Sequence, residues 1–341
     1  SDMTELEKVT AYGNIYLYSL IVPIISVSGI FLSYFNQQKR YKLLINNGID
    51  PVKAANIIFN IPEVTKPNLL IIIGSIFFVI FTLLVGTSKM ALSQEIVFVG
   101  SFMIILFLLF KLSNELDANA KKMLIGTAII IFVFRAMPGV GQGGSWFEID
   151  ILGFDQEFLS LLGLIASFLT ILGIFVLRPL MEKSSMTRLI VILSIAGSFF
   201  ILPSIAMFYG FHEFTSKLTN GLVDARFIAI FNTALESPLG QVSMIPILAW
   251  IAQSAPNHLK ATFFAVLASF TNLALSASNL GTKYLNQLYV ITREVKNDLG
   301  IIKTPADYSE LGILLIIVCV LTLIVPILVT YIVKKLKLLS Y

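Results

Sequence analysis

Arg135, Glu236, Gln241 and Asn272 stand inside long apolar runs of the 341-residue sequence. In a bilayer a guanidinium or carboxylate at such a position costs about 3 kcal/mol or more, so it faces a bundle interior and has a partner. Each residue type suggests its own chemistry. The planar fork of Arg135 matches an anionic group, above all a carboxylate, in two-pronged fashion. Glu236 suits a cation or a coupling proton. Gln241 and Asn272, the strongest uncharged hydrogen-bonding groups of their runs, would form a polar wall, and Gln142, within a glycine-rich stretch, completes the substrate-binding set. The competing arrangement is structural: an Arg135–Glu236 ion pair locking two helices, or Arg135 snorkelling to the headgroups.

These residues must be held by elements that break. Lys122 to Leu180 reads as an apolar helix (Met123 to Arg135), a glycine-rich break (Pro138 to Gly144), an acidic cap (Trp146 to Asp155) and a second apolar helix (Phe158 to Leu177). A span broken by Pro and Gly frees backbone groups that hydrocarbon cannot satisfy, so the break must face protein or a water-filled cavity. Discontinuous helices of this kind build solute sites in secondary transporters. Glu236-Ser237-Pro238-Leu239-Gly240-Gln241, followed by Pro246, signals a second break beside two of the polar candidates. Glu148 and Asp150 lie just past the first break and read as solvated loop charges, and Trp146 and Phe147 as an interfacial aromatic belt. The glycine run is no phosphate loop, since no Lys-Ser/Thr follows it. His212 and His258 have no second His or Cys nearby, so neither a metal nor a cofactor is expected. No Ser or Cys nucleophile has a His base in a recognisable motif, so the sequence does not read as an enzyme.

Composition sets the solvent. The chain is 57% hydrophobic and 13% charged, with a mean hydropathy of +0.88, against about 45–50% apolar and about 25% charged for soluble domains. Nine apolar runs of spanning length lie near 14–35, 69–87, 95–112, 123–145, 157–179, 187–210, 227–251, 261–289 and 310–333. The net charge of +4 is no nucleic-acid signal, because the bases cluster in alternate loops: Lys39 to Lys66, Lys121 and Lys122, Arg178 to Arg188, His258 and Lys260, and Lys334 to Lys337. That alternation predicts a cytoplasmic C-terminus and an N-terminus on the other side. The single cysteine, Cys319, excludes a disulfide framework. Asp50-Pro51 predicts a short capped helix in the long first connection, as a linker or an interfacial helix. An odd span count, with the N-terminus outside and a first residue other than Met, predicts that N-terminal helices precede this sequence.

Several short patterns fall in one order from Ile131 onward. They are Ile131-Phe132-x-Phe134-x-Ala136-x-Pro138, Leu152-Gly153-Phe154-x-x-Glu157-Phe158-Leu159 and Gly173-Ile174-Phe175-Val176-Leu177-Arg178. Gly240-Gln241-x-x-x-x-Pro246 and Ala261-Thr262-x-Phe264-Ala265, with Asn272, follow. In this order they resemble the C-terminal half of the folate–biopterin transporter family, within the major facilitator superfamily. The chain departs from that pattern at Arg135, at Lys260, where a Glu is common, and at Ser160 to Leu164, where Arg residues usually stand. The resemblance implies that 1–35 holds the last helix of an N-terminal bundle, 36–68 a cytoplasmic linker, 69–122 an inserted hairpin and loop, and 123–341 a six-helix C-terminal bundle.

The expectation is therefore an all-α polytopic membrane protein of major-facilitator-type bundles, in a bacterial inner or organellar membrane. It would be a secondary transporter moving a small anionic organic solute, folate- or pterin-like by resemblance, with H+ as a coupling ion and no nucleic-acid partner. The alternative is a scaffold or assembly protein of the same fold, which predicts that Arg135 and Glu236 pair and leave no cavity.

Overall fold

The computed structural model describes residues 5–59, 69–88, 90, 92–254, 260–296 and 301–338. The chain divides into two compact units, 1–66 and 67–341. In the first, α1 (Glu5–Ser19) and α2 (Ile21–Asn46) follow with one residue between them, and α3 (Pro51–Phe59) packs on α2. Pro51 opens α3, where its missing N–H costs no helical bond.

The second unit is helical apart from one small hairpin. In order it contains α4 (Leu69–Gly86), α5 (Ser93–Ser113), α6 (Ala118–Arg135), α7 (Gln142–Asp150), α8 (Gln156–Val176), α9 (Arg178–Lys183), α10 (Met186–Phe208) and α11 (Phe211–Leu218). Then come α12 (Ala225–Glu236), a 3-10 turn (Ser237–Leu239), α13 (Met244–Ser254), α14 (Lys260–Leu288), β1 (Val295–Lys296), β2 (Ile302–Thr304) and α15 (Leu311–Lys335). β1 and β2 pair antiparallel in the α14–α15 connection.

Among the described residues, six segments are long and apolar enough to span a bilayer: Gly13–Asn46, Ser93–Ser113, Gln156–Val176, Met186–Phe208, Thr262–Leu288 and Leu311–Lys335. At 1.5 Å per residue, a helix of α5's length rises about 31 Å, the thickness of the hydrocarbon core. The other expected spans are the shorter α4, α6 with Lys121 and Lys122 in its first turns, and the pair α12/α13 with the 3-10 turn between them. Outward faces are apolar: Phe168, Phe175 and Val176 on α8 are each more than 60% exposed. Water would penalise such faces and lipid does not, so the protein is an all-α polytopic membrane protein.

Local chemistry explains where the helices start. Asp117, Asp155 and Asp224 cap α6, α8 and α12 by accepting from backbone N–H groups of the first turn. Arg226 Nη2 then donates to Asp155 Oδ2 at 2.7 Å, tying the starts of α8 and α12 together. The backbone N–H of Phe158, followed by Arg226, holds the Asp155 carboxyl below its usual range.

The largest core cluster lies where α5, α6, α10, α13, α14 and α15 meet, around Ile131, Ile190, Ile251, Phe263 and Leu267. α10 and α15 form the most extensive helix pair. Ser198 Oγ donates to Cys319 O at 3.1 Å and Cys319 Sγ to Ser198 O at 3.4 Å, so the lone cysteine is one half of a reciprocal bond between these helices.

Candidate functional site

The first break is closed by protein rather than left open. α6 stops at Arg135, three residues before Pro138, and α7 starts at Gln142 after Gly141, whose φ of +79° is a glycine conformation. The backbone between them bonds to α14: Gly139 N–H donates to Thr282 Oγ1 at 2.8 Å, Ser278 Oγ to Met137 O at 2.6 Å, and Asn286 Nδ2 to Val140 O at 3.1 Å. Ser278, Thr282 and Asn286 are four residues apart and so form one stripe on the helix. Gly141 also lets the stripe approach closely, since a Cβ there would lie 2.9 Å from Asn286 Nδ2. The glycine-rich break was expected to reach Gly144, but helix resumes at Gln142, and the acidic cap is largely the helix α7.

Beside that stripe runs a second one. Ser269, Asn272, Ser276, Asn279, Lys283 and Asn286 alternate in steps of three and four along α14, and all line a cavity of about 1030 Å³. Its other walls are α4 (Phe78, Thr82), α5 (Gln94, Phe98, Ser101) and the break itself, through Gly141 and Gln142. A large, mainly apolar cavity with a few convergent polar groups is the usual form of a small-molecule site. Thr82 Oγ1 is buried here without a hydrogen-bond partner among the described residues. On the α5 side, Lys283 Nζ meets Glu95 Oε1 at 2.6 Å, and Tyr284 Oη donates to the same oxygen at 2.9 Å.

The structure brings together two of the five expected site residues: Gln142 and Asn272 face this cavity. Arg135 does not. Its Nε donates to Thr271 O at 3.2 Å and its Nη1 to Met244 Sδ at 3.1 Å, which binds the end of α6 to α14 and α13. Gln241 lies in the turn before α13, three residues from Met244. Glu236 ends α12, is exposed, and has no ion pair or side-chain hydrogen bond among the described residues. The expected alternative of an Arg135–Glu236 pair is therefore corrected: the two do not meet.

The second break is present, and it too is closed by a neighbour. Thr170 Oγ1 of α8 donates to Ser237 O at 2.9 Å, and Gly173, one turn on, lies against Pro238. A Cβ on Gly173 would sit 2.5 Å from Pro238 Cα and closer still to its carbonyl oxygen. Two expectations next to the first break are corrected. Phe147 is 9% exposed and packs with Phe208, Tyr308, Leu311 and Leu315, so it is core rather than interfacial belt. Glu148 lines a second cavity of about 190 Å³ with Ser145, Ser204 and Met207. It is half-buried, and that burial pushes its carboxyl above the usual range. Asp150 is clasped instead: Arg293 reaches both its oxygens, at 2.7 and 2.8 Å, and Tyr308 Oη donates to Oδ2 at 2.7 Å. Arg293 and then Tyr308 hold the Asp150 carboxyl below its usual range, while burial and the Asp150 contact push the Tyr308 phenol up to about 12. His212 lies on α11 with its Nδ1 buried and without a hydrogen-bond partner among the described residues, and His258 falls outside them.

A family model described as the BT1 family matches residues 67–339. The chain belongs to the BT1 family. Its match takes in the whole helical unit that holds both breaks and the cavity, including the α4–α5 hairpin, which lies upstream of the patterns that first pointed to transporters. One relative is the folate-biopterin transporter of Synechocystis sp. (strain ATCC 27184 / PCC 6803 / Kazusa), 21% identical over 158 residues. That alignment covers 46% of this chain and 31% of the relative. No solved structure matches the chain. The BT1 protein carries cavity residues that reasoning from isolated charges passed over, namely Lys283, Gln94 and Asn279. The three-and-four spacing of polar residues from Ser269 to Asn286, inside a run long enough to span the bilayer, was the signal for most of them.

Proposed function

We propose that this BT1-family protein is a secondary active transporter, moving a small anionic organic solute of folate or pterin type across the membrane by alternating access. The observation that carries this reading is the cavity of about 1030 Å³ between the α4–α5 hairpin, the α6–α7 break and the polar stripe of α14. A discontinuous helix beside a polar cavity is the architecture by which such transporters hold a solute. The name of the Synechocystis relative supports the solute class. Gln142 and Asn272 contact the solute from the cavity wall. Arg135, the expected anion partner, does not line the cavity; it bonds to the α14 backbone one residue before Asn272 and adds positive charge there without a direct contact to the solute. Gln241 and Glu236 belong to the broken span α12/α13, with Glu236 carrying the coupling proton.

In this scheme residues 1–35 end an N-terminal bundle, 36–68 link it to the rest, 69–122 form the hairpin and 123–341 the C-terminal bundle. Lys334, Lys335 and Lys337 support a cytoplasmic C-terminus in this scheme. A scaffold of the same fold needs neither a large cavity with a polar stripe nor a Glu236 without an ion pair among the described residues, and both are present.

The test is uptake of radiolabelled folate and biopterin into proteoliposomes under an imposed pH gradient, for the wild type and Glu236→Gln. The wild type accumulates at least one of the two faster with the gradient than without it. Glu236→Gln loses that acceleration. Retained gradient dependence in the variant sinks the role of Glu236, and no uptake of either compound by the wild type sinks the solute class.

A further inference from the structure

One ionic contact at the cavity wall, between Lys283, which lines the cavity, and Glu95 behind it, has a feature that helix packing alone does not require. Lys283 stands on the cavity stripe of α14, and its side chain is 34% exposed. Its partner Glu95, on the first turn of α5, is 17% exposed, and only one of its oxygens is used. Oε1 accepts from both Lys283 Nζ and Tyr284 Oη, whereas Oε2 is buried without a hydrogen-bond partner among the described residues. A carboxylate fixed for structure alone gains most when both oxygens are satisfied, because an orphaned buried acceptor carries its full desolvation cost. Here the pair is half-satisfied on its acid side. On its basic side an ammonium with three N–H donors borders open volume.

We propose that Lys283 receives the anionic group of the solute and that Glu95 is the counter-ion the solute displaces. The inference rests on reading the cavity as the solute site. A solute carboxylate entering beside Lys283 makes the same charge-assisted bond that Glu95 makes. Gln94, Asn279 and Asn286, the last two one turn either side of Lys283 on the cavity stripe, offer neutral hydrogen bonds to the rest of the molecule. The site thus selects a carboxylate attached to a flat, hydrogen-bonding body over the same body without charge. Arg135, with two of its donors engaged on α13 and α14, acts at longer range.

The two partners of a displaced pair move affinity in opposite directions, and those of a purely structural pair move it together. The experiment is equilibrium binding of folate, which carries carboxylates, and biopterin, which carries none, to the purified protein. Thermal unfolding is recorded for every variant. Lys283→Gln lowers folate affinity about tenfold or more, the loss of one charge-assisted bond, and leaves biopterin affinity unchanged. Glu95→Gln raises folate affinity, Tyr284→Phe raises it less by loosening Glu95, and Lys283→Arg retains most of it. Folate affinity that falls in both Lys283→Gln and Glu95→Gln, or that changes in neither while biopterin binds, overturns the assignment of Lys283 and leaves the cavity reading standing. Failure of the wild type to bind either compound overturns the cavity reading, and this inference with it.

Discussion

Simultaneous replacement of Ser278 by Ala, Thr282 by Val and Asn286 by Leu is expected to lower stability by about 2–9 kcal/mol. The three side chains bond Met137 O, Gly139 N–H and Val140 O, backbone groups that the α6–α7 break has released from helical pairing. An unsatisfied buried polar group costs about 1–3 kcal/mol, and intramembrane hydrogen bonds average about 0.6 kcal/mol, which sets the two ends of that range. Against a total stability of about 5–15 kcal/mol, the upper end abolishes the folded state. The three substitutions remove the donors and acceptor without leaving a large void, so the loss reads the hydrogen bonds and not packing. Detergent-denaturation midpoints of the three single variants and the triple measure it. A triple variant with a wild-type midpoint would mean that water, and not α14, satisfies the break.

Gly173→Val is the second substitution of large effect. A Cβ at 173 meets backbone of the 3-10 turn, which cannot rotate away as a side chain does. Overpacking costs about 1–3 kcal/mol for modest additions, so Gly173→Ala falls in that range and Gly173→Val exceeds it. The consequence reaches the site, because separating α8 from the turn also removes the Thr170–Ser237 bond next to Glu236. Gly163, on the same helix with nothing within 4 Å of its would-be Cβ, is the control: Gly163→Ala is neutral or slightly stabilising. Equal midpoints for Gly173→Ala and Gly163→Ala would show that α8 and the turn do not touch.

Much of the architecture was legible before the structure because membranes impose simple rules. Length and apolarity located the helices, Pro138 with its neighbouring glycines marked the first break, and Ser237-Pro238 with Gly240 marked the second. What the chain could not reveal was which neighbour closes each break. Ser278, Thr282 and Asn286 are 141, 143 and 146 residues from their partners, and nothing local to α14 announces that pairing. The same limit acted on the site. Arg135 and Glu236 stood out as isolated charges, yet isolation in sequence says nothing about what faces them, and the fold leads them to different places. Gln142 and Asn272 reached the cavity because a break and a polar position on a spanning helix both tend to line one. Lys283 lies near the end of a long apolar run, and nothing local to it announces its partner. Its partner Glu95 comes from α5, 188 positions away. Phe147 misled through its position next to Trp146, since an aromatic past a helix end fits an interfacial belt until the α14–α15 connection, carrying Tyr308, is seen folded over it.

In the proposed transporter, the stripe of α14 from Ser269 to Asn286 faces a water-filled cavity that the solute occupies. Cysteine accessibility tests it most directly. Cys319 is first replaced by Ala, and Asn279→Cys is introduced on the stripe, with Leu267→Cys in the buried core of the same helix as the control. Both are treated in membranes with a maleimide, with and without folate. The account predicts that the cysteine at 279 reacts, that folate slows the reaction, and that the cysteine at 267 stays unmodified in both conditions. A cysteine at 279 that does not react, or that reacts equally fast with and without folate, would contradict it.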